Sequence, residues 1–332
     1  MTTPAKIQRA EALLMLVLAN FFWGLSFPII KALALLHGRL APGAGTWFSA
    51  LYTVAPRFLL ATGLLLAWQG REAWRITRAE LHQGLLLAMF TAGGMLLQND
   101  GLQFTAASTS AYLTQLYAIL IPVVLALRYR RNPGAAVWVC CLLVLAGVAI
   151  LGRFDWQQLT FGRGEVETLL SSVFYMGQIL VLNWGRFAGN RPERITLVMF
   201  AGQALLFGLL AVGAAPDAAA LVRPWLSPAW LGYTLVLTLL CTLGSFSLMN
   251  AWQPKISPTE AGLIYCVEPV FASVMVLFLP GWFSRWTGFD YPNETATWTL
   301  LVGGALITGA NILIQLRPPR FPTGSTEVRA AD

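Results

Sequence analysis

Ten apolar runs, each close to the roughly 20 residues that cross a bilayer, decide most of what this chain can fold into. They lie at about 12–34, 47–69, 80–98, 108–128, 133–152, 166–185, 194–213, 229–250, 259–280 and 296–316. In hydrocarbon every backbone N–H and C=O must find a partner within the protein. Runs of this length satisfy them as helices, so the fold expected is an all-α integral membrane protein with ten transmembrane helices. Composition agrees: 11% of residues are charged, against roughly 25% in soluble domains. The first run is too long for the core of a signal peptide and has no small-residue cleavage site after it, so it reads as a span.

The basic residues fix an orientation. With the N-terminus in the cytoplasm, fifteen Lys and Arg fall on that side, among them Lys6, Arg9, Arg71, Arg75, Arg78, Arg128, Arg130, Arg131, Arg186, Arg191 and Arg194. Six fall opposite (Lys31, Arg39, Arg153, Arg163, Arg223, Arg285), and Arg57 lies within a span. The positive-inside rule then selects an even span count with both termini cytoplasmic. The net charge of +7 therefore belongs to loops and does not mark a nucleic-acid surface.

One arrangement occurs twice. Residues 98–122, QNDGLQFTAASTSAYLTQLYAILIP, close one span, turn through polar residues and open another that ends near Pro122. Residues 250–269, NAWQPKISPTEAGLIYCVEP, do the same and end at Pro269. A repeat of five spans is odd, so the second copy enters the membrane from the opposite face. The halves, about 11–152 and 165–316, are then inverted repeats, an architecture that places substrate at mid-membrane between them. Residues 317–332 form a polar tail expected to be flexible and cytoplasmic.

FFWGLSFPIIK (21–31), the Arg57-Phe58 pair, LQNDGLQFTAASTSAYLTQLYAILIPV (97–123) and EAGLIYCVEPVFASVMVLFL (260–279) carry a resemblance that covers nearly the whole chain. It is to the EamA-type, ten-helix branch of the drug/metabolite transporter superfamily. The resemblance implies an inverted-repeat bundle that moves small metabolites, often outward. Two positions differ from the family pattern: Pro280-Gly281-Trp282 stands where a Gly-Glu pair is common, and Asp100 stands where an apolar residue is usual.

Glu268 is halfway along span nine. An acid at the bilayer centre costs about 2.5–3.5 kcal/mol on insertion scales and usually marks function, here substrate contact or proton coupling; the bland alternative is a carboxyl that caps backbone groups near Pro269. Arg57 lies at similar depth and cannot shed its charge. It is either a structural partner, for Glu268 or for helix-end carbonyls, or an anchor for an anionic substrate group. Polar stripes at helical spacing run along span four (Ser110, Thr114, Tyr117), span six (Ser171, Tyr175, Gln178) and span eight (Thr238, Thr242, Ser245), with Asn20, Trp23 and Phe27 on span one. A single stripe is usually interhelical hydrogen bonding, but several together favour a shared cavity. Trp23, Tyr117, Tyr175 and Tyr265 would give it flat walls for an organic solute, a cationic one included.

Gln98, Asp100 and Gln103 read first as exposed turn polarity, with a cation-attracting vestibule as the alternative. Lys31 reads as a snorkelling side chain. The small pair Ala305 and Gly309 on span ten permits close helix approach, within the bundle in preference to a homodimer. Trp282, Trp286, Tyr291 and Trp298 in the 281–298 outer loop read as an interfacial aromatic belt. Asn293-Glu294-Thr295 fits a glycosylation acceptor, relevant only in a eukaryotic secretory pathway.

No cofactor or metal is implied. There is no P-loop or HExxH string, the histidines (His37, His82) stand at or near loops, and the four cysteines have no metal-ligand spacing. The reading that results is a secondary transporter, an exporter of small organic metabolites such as amino acids, in the plasma membrane of a bacterium. Its partners are the lipid bilayer, a small-molecule substrate and a coupled proton, with no nucleic acid. The rival readings are an integral-membrane enzyme acting on lipid-linked substrates and a receptor or scaffold that moves nothing. A channel has no ring of like charges to support it.

Overall fold

The structure is a computed structural model whose described residues are 3–130, 132–151 and 162–316. The tail at 317–332, and Arg131 and Arg153 of the charge count, lie outside them. Among the described residues there is no β-strand.

The first half opens with α1 (Thr3–Leu40), followed by α2 (Thr46–Gln69) and α3 (Arg78–Gly101). Thr77 starts α3 with a capping box, its hydroxyl accepting from the Glu80 amide while Glu80 accepts from the Thr77 amide. Span four is two helices, α4 (Ala107–Thr114) and α5 (Tyr117–Tyr129), and α6 (Ala135–Leu151) follows. The second half runs through α7 (Arg163–Leu182), α8 (Pro192–Ala214) and the short α9 (Ala218–Val222). Span eight is α10 (Pro228–Val236), a π-helical stretch over Leu237–Gly244 and α11 (Ser245–Trp252). Span nine is again broken, into α12 (Pro258–Tyr265) and α13 (Glu268–Met275). The chain then bends by 53° into α14 (Leu279–Thr287), and α15 (Trp298–Leu316) closes the bundle.

Among the described residues, six helical segments are long and apolar enough to cross a membrane, and a seventh is added if α12–α14 count as one bent span. Three of the ten expected spans are not among these: α3 is 24 residues long but carries His82, Gln83, Gln98, Asn99 and Asp100, and α6 and α15 contribute the shorter apolar stretches Ala135–Gly147 and Leu301–Ala310.

The solvent logic of a globular protein is reversed. Leu14, Leu59, Leu85, Leu142, Leu205, Leu209 and Leu301 point outward, whereas Asn20, Arg57, Asp100, Gln178, Asn250, Gln253 and Glu268 are buried. Hydrocarbon outside and polar groups inside is the distribution a bilayer imposes.

Packing pairs the halves. α2 lies along α8, α6 along α15, and α4–α5 along α12–α13. α7 packs on α3 and on α4–α5, while α1 packs on α10–α11 and on α12–α13. Several crossings are close enough to exclude side chains, two of them beside the cavity-lining helices. A Cβ on Gly24 of α1 would lie 2.7 Å from Phe271 Cβ and 2.9 Å from the Ala272 nitrogen on α13. Cβ atoms on Gly101 and Gly164 would each lie within 2.8 Å of the other residue's carbonyl oxygen, where α3 meets α7.

Several local expectations change. Spans four and nine are broken at 115–116 and 266–267, each after a helix of eight residues. Pro122 sits inside α5, and the Ala118 carbonyl that its missing N–H cannot serve accepts a weak bond from Cys141 Sγ (3.8 Å). Pro269 occupies the first turn of α13, where its missing N–H is tolerated. Ala305 faces outward and nothing lies near Gly309, so that pair does not pack within the bundle; their neighbour Gly303 does, against Gly147 of α6. Trp282, Trp286 and Trp298 are exposed as a belt requires, but Tyr291 is buried. His37 is also buried: its Nε2 accepts from Trp230 Nε1 (2.9 Å), leaving Nδ1–H for Ser49 Oγ (3.0 Å). Lys31 donates to the Thr105 carbonyl (2.6 Å).

Candidate functional site

Within the bundle is a cavity enclosed between the helices. Its walls come from both halves: Trp23, Ser26 and Ile30 of α1, Arg57 of α2, and Met95, Gln98 and Asn99 of α3 meet Tyr175, Gln178 and Ile179 of α7 and Phe246 and Met249 of α11. Both helix breaks open onto it. Thr114 and Tyr117 flank the first and Tyr265 and Glu268 the second. Counted from the breaks, Tyr117 and Glu268 are equivalent, each the first residue of its second half-helix.

Eight of the ten residues the sequence singles out line this space: Glu268, Tyr265, Tyr117, Thr114, Trp23, Tyr175, Gln178 and Arg57. Ser110 and Asn20 do not. Ser110 Oγ pairs with Thr168 Oγ1 (3.3 Å) between α4 and α7, and Asn20 Nδ2 donates back to the Leu16 carbonyl (2.7 Å). Other stripe hydroxyls also turn to their own helices, Thr238 to the Thr234 carbonyl and Ser245 to that of Cys241 (2.7 Å each). A short hydroxyl can bond the preceding turn, and the longer stripe residues reach the cavity instead.

The aromatic wall is ordered by edge contacts. Trp23 meets Tyr265 at 5.6 Å and Phe246 at 5.3 Å between ring centroids, both edge-on. The Gly24 crossing allows this, because it brings α1 against the backbone of α13.

Two polar chains tie the walls. The Tyr175 hydroxyl donates to Gln98 Oε1 (2.9 Å), Gln98 Nε2 donates to Thr114 Oγ1 (2.9 Å), and Thr114 donates to the Ser110 carbonyl (2.9 Å). The Tyr265 hydroxyl donates to Gln253 Oε1 (2.9 Å), whose Nε2 donates to the Ile179 carbonyl (2.9 Å) and to Asn183 Oδ1 (2.6 Å). Gln98 is therefore part of the cavity wall and not exposed turn polarity.

The two charged residues do not pair. Arg57 Nε donates to Thr242 Oγ1 on the π-helical stretch (2.9 Å), and its Cζ lies 5.4 Å from the Phe58 ring centroid. Glu268 has no salt-bridge partner among the described residues. Its neighbour is Gln115, at the break in span four.

Ion pairs sit toward the ends of the bundle. Arg9 of α1 bonds Glu260 of α12, and Arg163 of α7 bonds both Asp100 of α3 and Glu167 (2.8 Å for the latter). Asp100 is wholly buried, contrary to the exposed turn expected, and the Arg163 Cζ lies 4.5 Å from the Phe104 ring centroid. Glu294 of the outer loop accepts from Ser108 Oγ (2.5 Å) and from no basic side chain within salt-bridge reach among the described residues.

Ser26, Ile30, Met95, Asn99, Ile179, Phe246 and Met249 also line the cavity and were not singled out from sequence. Ser26 was within reach, one turn from Trp23. The apolar members carry no signal that separates them from packing.

Outward-facing leucines, buried polar residues and a cavity between helices define a helical integral membrane protein. Residues 10–153 match the EamA-like transporter family, which lies within the drug/metabolite transporter superfamily, and the match points to a transporter and not an enzyme. An uncharacterized transporter of Archaeoglobus fulgidus is 24% identical over 275 residues, 82% of this chain and 80% of that protein. A solved structure described only as the crystal structure of a protein superposes with a TM-score of 0.60 at 17% identity, over 93% of this chain and 97% of the other. It shows a shared fold.

Proposed function

We propose that the chain is a secondary carrier that exports a small organic metabolite, such as an amino acid or related solute, by alternating access between two inverted five-helix halves. The observation that carries this is the cavity: it is lined by both halves, opens at both helix breaks and holds an acid with no salt-bridge partner among the described residues.

The packing supports the repeat. Exchanging α1 with α7, α2 with α8, α3 with α10–α11, α4–α5 with α12–α13 and α6 with α15 turns each of the main helix contacts into another that exists. Ten spans, with the first half ending near residue 152 and the second starting near 165, follow from that exchange. The excess of basic residues on one side favours cytoplasmic termini and the plasma membrane of a bacterium. The ion pairs toward the two ends are of the kind that hold one end shut while the other opens.

Glu268 is the candidate switch. It would meet a cationic group of the substrate or carry the coupled proton, while Trp23, Tyr117, Thr114 and Tyr265 shape the pocket. Flux into proteoliposomes by Glu268→Gln tests this. Abolished flux, or flux that no longer follows a pH gradient, with the melting profile intact, supports the role. Unchanged and still pH-driven flux removes Glu268 from the mechanism.

A further inference from the structure

Arg57 and Asn99 share a property that none of the other cavity-lining side chains shows. Both are almost wholly buried, and among the described residues Arg57 Nη1 and Asn99 Nδ2 have no hydrogen-bond partner. Their neighbours are satisfied: Tyr175, Gln98 and Thr114 bond one another, Tyr265 bonds Gln253, and Gln178 Nε2 reaches Met249 Sδ (3.6 Å). Both orphaned atoms are donors, and a buried donor without an acceptor is costly. Arg57 carries, in addition, a charge that no acidic side chain within salt-bridge distance balances among the described residues.

Resting on the carrier reading, we propose that Arg57 and Asn99 form an anion subsite that takes the carboxylate of the transported solute. A carboxylate offers two acceptor oxygens and one negative charge, which matches two free donors and one guanidinium. A phosphate brings up to two charges and suits a single guanidinium less well. Arg57 is held for this task from its far side, with Nε on Thr242 and the ring of Phe58 below. The rest of the solute lies on Trp23, Tyr265 and Phe246, and an ammonium group, where there is one, faces Glu268.

The test is thermal melting of the purified full-length protein in detergent, for wild type, Arg57→Met and Asn99→Leu. Three probes share one aromatic body: phenylalanine, 3-phenylpropionate, which lacks the amine, and phenethylamine, which lacks the carboxylate. Without any probe, both variants are expected to melt at or above wild type, since each removes an orphaned donor; a clear fall in both would make the residues structural and overturn the subsite. With probes, the two carboxylates are expected to raise the wild-type midpoint, phenethylamine, held only through Glu268 and the rings, to raise it less than phenylalanine does, and both variants to lose the carboxylate-dependent part of the rise. Stabilisation by phenethylamine equal to that by phenylalanine, or a carboxylate-dependent rise that survives in both variants, overturns the proposal. If inorganic phosphate raises the midpoint more than the carboxylates do, the carboxylate assignment is wrong. Where no probe shifts the wild type, the probe-free comparison decides. Melting needs no compartment, so a protein that binds through this subsite but moves no solute would sink the carrier reading and leave the subsite standing.

Discussion

Trp23 and Tyr265 meet edge to face across the cavity, 5.6 Å apart, because the residue after Trp23 has no side chain. Gly24→Val would force a Cβ into the backbone of α13, whose Glu268 carbonyl oxygen would lie 3.1 Å away and whose Ala272 nitrogen nearer still. Backbone cannot yield as a flexible side chain does, and overpacking of this kind costs about 1–3 kcal/mol. The variant is expected to melt earlier and to lose flux, with Gly24→Ala intermediate. Melting and proteoliposome flux on the same preparations check it, and a Gly24→Val protein that matches wild type in both would refute the crossing.

Tyr175→Phe removes the hydroxyl that bonds Gln98 and leaves the ring in place. A neutral hydrogen bond contributes about 1 kcal/mol, so stability should fall only slightly. Gln98 then loses one of the two bonds that hold it on the wall. The prediction is a several-fold rise in the substrate concentration for half-maximal flux, with maximal flux less affected. Equal losses in both constants would instead mean a general defect.

How much of this was legible in the sequence follows from what surrounds each residue. Glu268, Arg57, Tyr117, Tyr175 and Gln178 stand out because a polar group inside an apolar run has few inexpensive places to go. Gln98 and Asn99 were hidden by position: they adjoin a real polar turn, and composition cannot distinguish the last turn of a helix from the loop beyond it. Ser110 and Asn20 were misleading for a different reason. Helical spacing identifies a face but not the reach of a side chain, and a serine or asparagine can bond its own helix or the one beside it. The break after Thr114 has no proline beside it, since Pro122 lies inside α5, and the π-helical stretch that presents Thr242 to Arg57 has no sequence signature.

Arg9→Ala should be more damaging than the removal of both partners. Glu260 is 2% exposed at its side chain, and deleting Arg9 strips a buried acid of its cation, an effect that reaches about 3 kcal/mol. Arg9→Ala/Glu260→Gln removes both charges and is expected to recover part of the loss. Chemical denaturation of the three proteins gives the comparison; a double variant no better than Arg9→Ala would show that the pair contributes little.

Arg163→Gln leaves Asp100 and Glu167 facing each other near the end of α3. If that ion pair helps to close its end of the cavity, a cysteine placed at Thr114 should react faster with a membrane-impermeant thiol reagent in Arg163→Gln than in the wild-type background. Asp100→Asn/Glu167→Gln, which removes the repulsion as well as the attraction, should react at an intermediate rate. Identical rates in all three would mean that the cluster braces helices and gates nothing.

The eight-residue helices α4 and α12 give the molecule two short levers, each ending at the cavity wall. A lever that ends there can tilt while the remainder of its span keeps its grip on lipid. In the proposed alternating-access cycle the outer contour of the bundle can thus stay nearly constant while the sealed end changes sides, and the surrounding bilayer need not be reshaped at every turnover.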